Sequence, residues 1–178
     1  RVAADPPRKS LGRRRAPGLL SDIRAAIAAA EREALIVSPY FVPGRRGTRL
    51  LASLVRRGVR GLRLVGVPVS GFATDILIGA GCVAEVQTSA ASLGEAGFAP
   101  RFSAAVREGK IRVLDATCPA IHTMLQASEK GVPFMPLRGV IGSDLVEHRP
   151  DWRVVPNPFS EEGEDPILLL PALRPDFG

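Results

Sequence analysis

Leu62-Arg63-Leu64-Val65-Gly66-Val67-Pro68-Val69-Ser70-Gly71-Phe72, running on into Ile76-Leu77-Ile78-Gly79-Ala80-Gly81-Cys82-Val83-Ala84, is the stretch on which the reading of this chain turns. Leu62 to Val65 has strand character, and Ile76-Leu77-Ile78 reads as a second short strand. Glycines at strand ends let a backbone approach a ligand closely, with N–H groups open to an anion. Gly79-x-Gly81-x-x-Ala84 fits the relaxed dinucleotide pattern, which requires a strand before it, a helix after it and an acidic residue about 20 positions on. Cys82 to Val86 is ambiguous between strand and helix, and Glu95 follows Gly79 by only 16 positions. The competing reading gives these glycines to tight turns and close packing.

Strands and helices alternate on either side. Upstream, Leu20, Ile23, Ile27 and Ala30 recur at helical spacing over about residues 21–32, with Ser21 or Asp22 as the cap. Ala34-Leu35-Ile36-Val37 is a short apolar strand, and residues 48–57 form a helix stopped by Gly58. Downstream, Pro100 to Glu108 suits a helix with proline near its start and Gly109 beyond its end. Ile111 to Leu114 is a strand, Pro119 to Lys130 a helix, and Val154-Val155 and Ile167 to Leu170 are late strands. This rhythm predicts an α/β fold, a mostly parallel sheet with helices on both faces.

Composition narrows the function. With 46% hydrophobic and 24% charged residues a buried core is available, and no run nears the roughly 18 apolar residues of a membrane span. The net charge of +6 is uneven: residues 1–60 hold 14 Lys+Arg against 4 Asp+Glu, and residues 61–178 hold 10 against 14. A basic arm of this kind meets nucleic acid or anionic lipid, or is a solvated arginine-rich face. No aromatic interleaves Arg8 to Arg15, so no stacking platform for bases is present and nucleic acid is not expected. Cys82 and Cys118 make neither a zinc set nor a disulfide framework, and Cys82 reads as a small core hydrophobe rather than a nucleophile. His122 on a polar helix face and His148 in a loop belong to no metal motif. The chain begins at Arg1 without a signal segment and reads as a cytoplasmic fragment lacking its start.

From about Leu54 onward the sequence resembles the α subunit, or N-terminal half, of the class I coenzyme A transferases. The matching stretches are Leu62 to Pro68, Asp75 to Val83, Leu93-Gly94-Glu95-Ala96-Gly97-Phe98-Ala99-Pro100-Arg101-Phe102, Gly131 to Gly139, Gly142-Ser143-Asp144-Leu145 and Pro171 to Asp176. Residues 1–60 resemble a different family. The helix before Leu35-Ile36-Val37-Ser38-Pro39-Tyr40-Phe41-Val42-Pro43-Gly44 and that segment itself are similar to part of the phospholipase D and cardiolipin synthase superfamily. That superfamily needs His-x-Lys motifs, and neither histidine here has a lysine two residues on. The resemblances divide the chain into a basic arm (1–18), a foreign helix–strand–helix segment (19–60) and a truncated transferase-like domain (61–178), a composite that a fusion, a recombination or an assembly artefact would produce.

The transferase resemblance implies movement of coenzyme A between an acyl-CoA and a carboxylic acid, through a glutamyl anhydride and a glutamyl-CoA thioester. The glutamate belongs to the β half, so the chain alone is expected to be inactive and to need a β partner. No catalytic residue and no metal ligand is expected here, and Glu95, despite its glycine neighbours, is read as structural. Gly66, Gly71, Phe72, Gly79 and Gly81 are the residues expected to meet coenzyme A. The family's early glycine-rich loop is replaced by Ser38 to Gly44. The alternative is an inactive phospholipase D-like fragment that binds anionic lipid through its arm.

Overall fold

The computed structural model describes residues 35–38, 52–53, 55–161 and 165–176, and single helical positions at Ala25, Ala29 and Arg49. The arm (1–18) and the Pro39 to Gly44 loop lie outside the described residues. Ala25 and Ala29, and Arg49, Ala52, Ser53, Val55 and Arg56, fall in the two helices expected upstream.

Four strands form a parallel sheet in the order β1-β2-β3-β4: β1 (Leu35–Ser38), β2 (Leu62–Gly66), β3 (Val83–Thr88) and β4 (Arg112–Asp115). Parallel neighbours cannot be joined by a hairpin; each pair needs a crossover. Between β2 and β3 the crossover is α1 (Phe72–Gly79), and between β3 and β4 it is α2 (Pro100–Arg107). Ile76-Leu77-Ile78 is therefore helical, not a strand. Its branched apolar run imitates a strand, but Ala73, Thr74, Leu77 and Ile78 are buried while Ile76 is 37% exposed, which is a helical stripe.

Successive residues of β2 point to opposite faces, and each face has its own core. Leu62 and Leu64 join Leu77 and Ile78 of α1, Ala105 of α2 and Val86 of β3. Val65 joins the other core, with Ala120, Ile121 and Met124 of α3 (Cys118–Glu129), Trp152, Leu168 and Leu170. Helices thus cover both faces, as expected.

The late strands depart from the parallel pattern. β5 (Phe134–Leu137), β6 (Arg153–Pro156) and β7 (Pro166–Pro171) make a separate antiparallel sheet in the order β5-β7-β6. Pro136 and Pro156 sit on its two outer strands, where a missing N–H is tolerated. The central strand is the apolar Ile167 to Leu170 run, whose Leu168 and Leu170 are fully buried beneath α3.

Candidate functional site

The carboxyl ends of β2, β3 and β4 converge where Gly66, Thr88 and Asp115 lie side by side in register. In open α/β sheets this is the end at which ligands bind, because loops leaving it are free to vary and helices begin there. Among the described residues two loops build the lip. The one after β2 runs through a cis Val67–Pro68 peptide to Gly71, and the one after β3 runs from Ser89 to Ala99.

Hydroxyl groups bind the loops together. Ser70 N–H donates to Ala90 O at 2.8 Å, and Ser92 N–H donates to Ser70 O at 3.1 Å. The buried Ser70 Oγ donates to Thr88 Oγ1 at 3.2 Å, and Thr88 Oγ1 donates to Ala90 O at 2.7 Å. Ser89 Oγ donates to Pro68 O and lies 3.0 Å from Cys118 Sγ. Cys118 is the first residue of α3, whose cap Thr117 accepts from Ala120 N–H at 3.3 Å. At α1 the cap is Gly71, which offers no side chain. Two phenyl groups stand out from this lip, Phe72 at 65% and Phe98 at 86% exposure, and the Ser70–Ala91 and Ser92–Phe98 bridges bring their segments together.

Of the expected ligand residues, the structure brings Gly66, Gly71 and Phe72 to this lip. Gly79 and Gly81 lie at the other end of the sheet, where α1 ends and β3 begins. Each has a structural occupation there. Gly81, at φ +70, is the left-handed residue of a helix-ending motif: its N–H donates to Ile78 O at 2.9 Å, and Cys82 N–H donates to Leu77 O at 3.2 Å. Gly79 leaves room for Arg101, since a methyl group there would overlap Arg101 Cδ and lie 2.7 Å from its Nε. The 79–84 pattern is a helix–turn–strand, and Cys82 leads directly into β3, so the dinucleotide reading fails on the order of its elements. At Gly66 a methyl group would overlap Ser70 Oγ, so this glycine is filled from within its own loop.

Asp75 stands among the matching stretches with no role assigned to it, yet it organises this flank. It is 1% exposed, and Oδ1 accepts from the N–H groups of Arg101 (2.8 Å) and Phe102 (2.9 Å). Oδ2 accepts from Arg101 Nη1 at 3.1 Å. A carboxylate on α1 thus caps α2, a task ordinarily done by a residue next to the helix in sequence. On the opposite flank the buried Arg149 donates Nη1 to Asp115 O at 2.9 Å and forks onto Asp151 through Nε (2.9 Å) and Nη2 (2.8 Å). It also lies 4.3 Å from the centre of the Trp152 ring. Burial by itself pushes the Asp151 carboxyl up. The hydrogen bonds and charge of Arg149, helped by a backbone bond and Arg112, outweigh it and hold the group below the usual aspartate range.

The lip can orient a ligand but, among the described residues, carries no acid–base pair of its own. His122 and His148 are both exposed, and Glu95 is exposed on a 3-10 turn (Gly94–Ala96). Cys82 is fully buried among apolar side chains. Among the described residues no three His, Cys, Asp or Glu side chains gather to hold a metal, and no helix is long and apolar enough to cross a membrane. The buried hydroxyls of Ser70 and Thr88 were not foreseen. The available signal was a small polar residue ending one strand, Thr88, and another in the loop four residues beyond the neighbouring strand, Ser70.

No protein-family model matches the chain. An uncharacterized protein of Archaeoglobus fulgidus is 30% identical over 144 residues, which is 79% of this chain and 31% of that protein. The A-type subunit of the 3-oxoadipate CoA-transferase of Pseudomonas knackmussii is 29% identical over 126 residues, 69% of this chain and 43% of that one. The chain therefore spans less than half the length of either curated relative. Among solved structures, a cysteine-to-serine variant of the decarboxylase AibA/AibB superposes with a TM-score of 0.71 at 22% identity, over 86% of this chain and 58% of the other. Glutaconate coenzyme A-transferase from Acidaminococcus fermentans gives 0.69 at 23% identity, over 84% and 52%. Residues 54–178 are only about 70% of this chain, so the Archaeoglobus and both structural matches reach back across the expected join. β1 pairs in parallel with β2 over four residues, and the comparisons give no support to a phospholipase D-like segment. What the strands, their crossovers and these likenesses establish together is an α/β fold of the coenzyme A-transferase α-subunit type.

Proposed function

We propose that this chain is the non-nucleophilic α part of a coenzyme A transferase, moving coenzyme A between an acyl-CoA and a carboxylic acid. The observation that carries the reading is the 29% identity with one subunit of a CoA-transferase over 69% of the chain. Fold likeness alone does not choose the chemistry, since a decarboxylase has the same fold. The lip supports a binding role: two hydroxyl-locked loops, Gly66, Gly71 and Phe72, and no paired base.

In the proposed reaction a glutamate of the β partner attacks the thioester carbonyl. The C–S bond breaks, coenzyme A leaves as thiolate and an anhydride remains. The thiolate then attacks the glutamyl carbonyl, releasing the first acid and leaving a glutamyl thioester, which the second acid reopens by the reverse steps. This chain contributes the wall that holds the acyl-CoA against that glutamate. Gly79 and Gly81, at the opposite edge of the sheet, take no part in holding the ligand at this lip.

The test combines the purified chain with the β subunit of a class I transferase and follows acyl exchange, with mass spectrometry to locate bound coenzyme A. Exchange is expected only in the mixture, with the covalent thioester on the β subunit. Exchange by the chain alone, a thioester on Glu95, or no complex at all would overturn the proposal.

A further inference from the structure

We draw no further inference here: the strongest candidate, the outer face of the β5–β7–β6 sheet, where Phe134, Pro136, Val155, Ile167 and Leu169 share one side with Arg153, is an unpartnered apolar face, and nothing in the structure shows what covers it.

Discussion

Replacing Gly66 by alanine tests whether that glycine serves a ligand or its own loop. A methyl group at residue 66 would overlap Ser70 Oγ and come within 3.1 Å of Ser70 Cβ and Thr88 Oγ1. All three residues are buried, so there is little room to give way. Overpacking of this kind costs about 2 kcal/mol. Displacing the Ser70–Thr88 hydrogen bond adds about 1 kcal/mol. Alanine recovers roughly 0.5 kcal/mol by restricting the unfolded chain, which leaves Gly66→Ala less stable by about 2.5 kcal/mol. Ser70→Ala alone loses only the hydroxyl, about 1 kcal/mol, because Thr88 Oγ1 keeps Ala90 O. The double variant removes the overlapping atom and leaves only the 3.1 Å contacts, worth about 1 kcal/mol, beside the same lost hydrogen bond and alanine gain, so it should lose about 1.5 kcal/mol rather than the additive 3.5, a coupling of about 2 kcal/mol. Urea unfolding followed by the fluorescence of Trp152, the single tryptophan and a buried one, measures all four proteins. Additivity within about 0.3 kcal/mol would show that the glycine is not kept for Ser70. A Gly66→Ala protein as stable as the parent would refute the packing argument outright.

Asp75→Ala should destabilise the chain by about 3 kcal/mol, from a lost cap and two backbone donors left in a buried setting, whereas the half-exposed Arg101 finds water. A shift of about 1.5 M in the urea midpoint is the expected reading, and a shift below about 0.3 M would show that α2 does not depend on this carboxylate. Asp151 has a lowered folded-state pKa, so its stabilising effect is complete above the ordinary aspartate value of about 4 and is lost as pH falls through the folded value. Asp151→Asn should accordingly flatten stability against pH below that point, and a profile parallel to the parent's in acid would dismiss the Arg149 fork as its source. Phe98 is 86% exposed, so Phe98→Ser should leave stability within about 0.5 kcal/mol. On the proposed function it should weaken association with the β subunit by about tenfold or more, read by calorimetry, and unchanged affinity would remove Phe98 from the interface.

The sequence was most legible where periodicity and punctuation agreed. α2 begins at Pro100 and stops before Gly109, and α3 stops before Gly131, each within a residue or two of the pattern. β2 and β4 were clear because short apolar runs followed helices of the right length. α1 reads as a strand in the sequence because a branched apolar triplet has no local mark separating helix from strand. Only the parallel pairing of β2 with β3, a relation across 21 or 22 positions, demands a helix between them. The antiparallel sheet was partly hidden because prolines in β5 and β6 argue against strands until their outer positions are known. The glycines were visible, but their tasks were not. A left-handed helix end, a space for Arg101 and a slot for Ser70 Oγ differ only in three dimensions.

The two ends of the parallel sheet explain how its charge is arranged. At the amino edge, α1, α2 and the helix through Arg56 all terminate, and Gly58, Gly81 and Gly109 close them in left-handed conformations. Helix C-termini carry partial negative charge, so Arg56, Arg57, Arg107 and Lys110 are favourable there for local reasons. The basic character of that edge therefore needs no anionic partner to account for it. The carboxyl-edge loops 66–72, 89–99 and 115–118 contain no Lys or Arg, only Glu95 and Asp115. A ligand carrying phosphate groups, as coenzyme A does, would find small hydroxyls and glycines at this lip but no cation from these loops. On the proposed function the charges that meet those phosphates come from outside these three loops, and by sequence both a partner surface and the segment after β1, with Arg45 and Arg46, can supply them. The described loops therefore suit the shaping of a ligand rather than the neutralising of its phosphates, which is the share the proposed function gives to this wall.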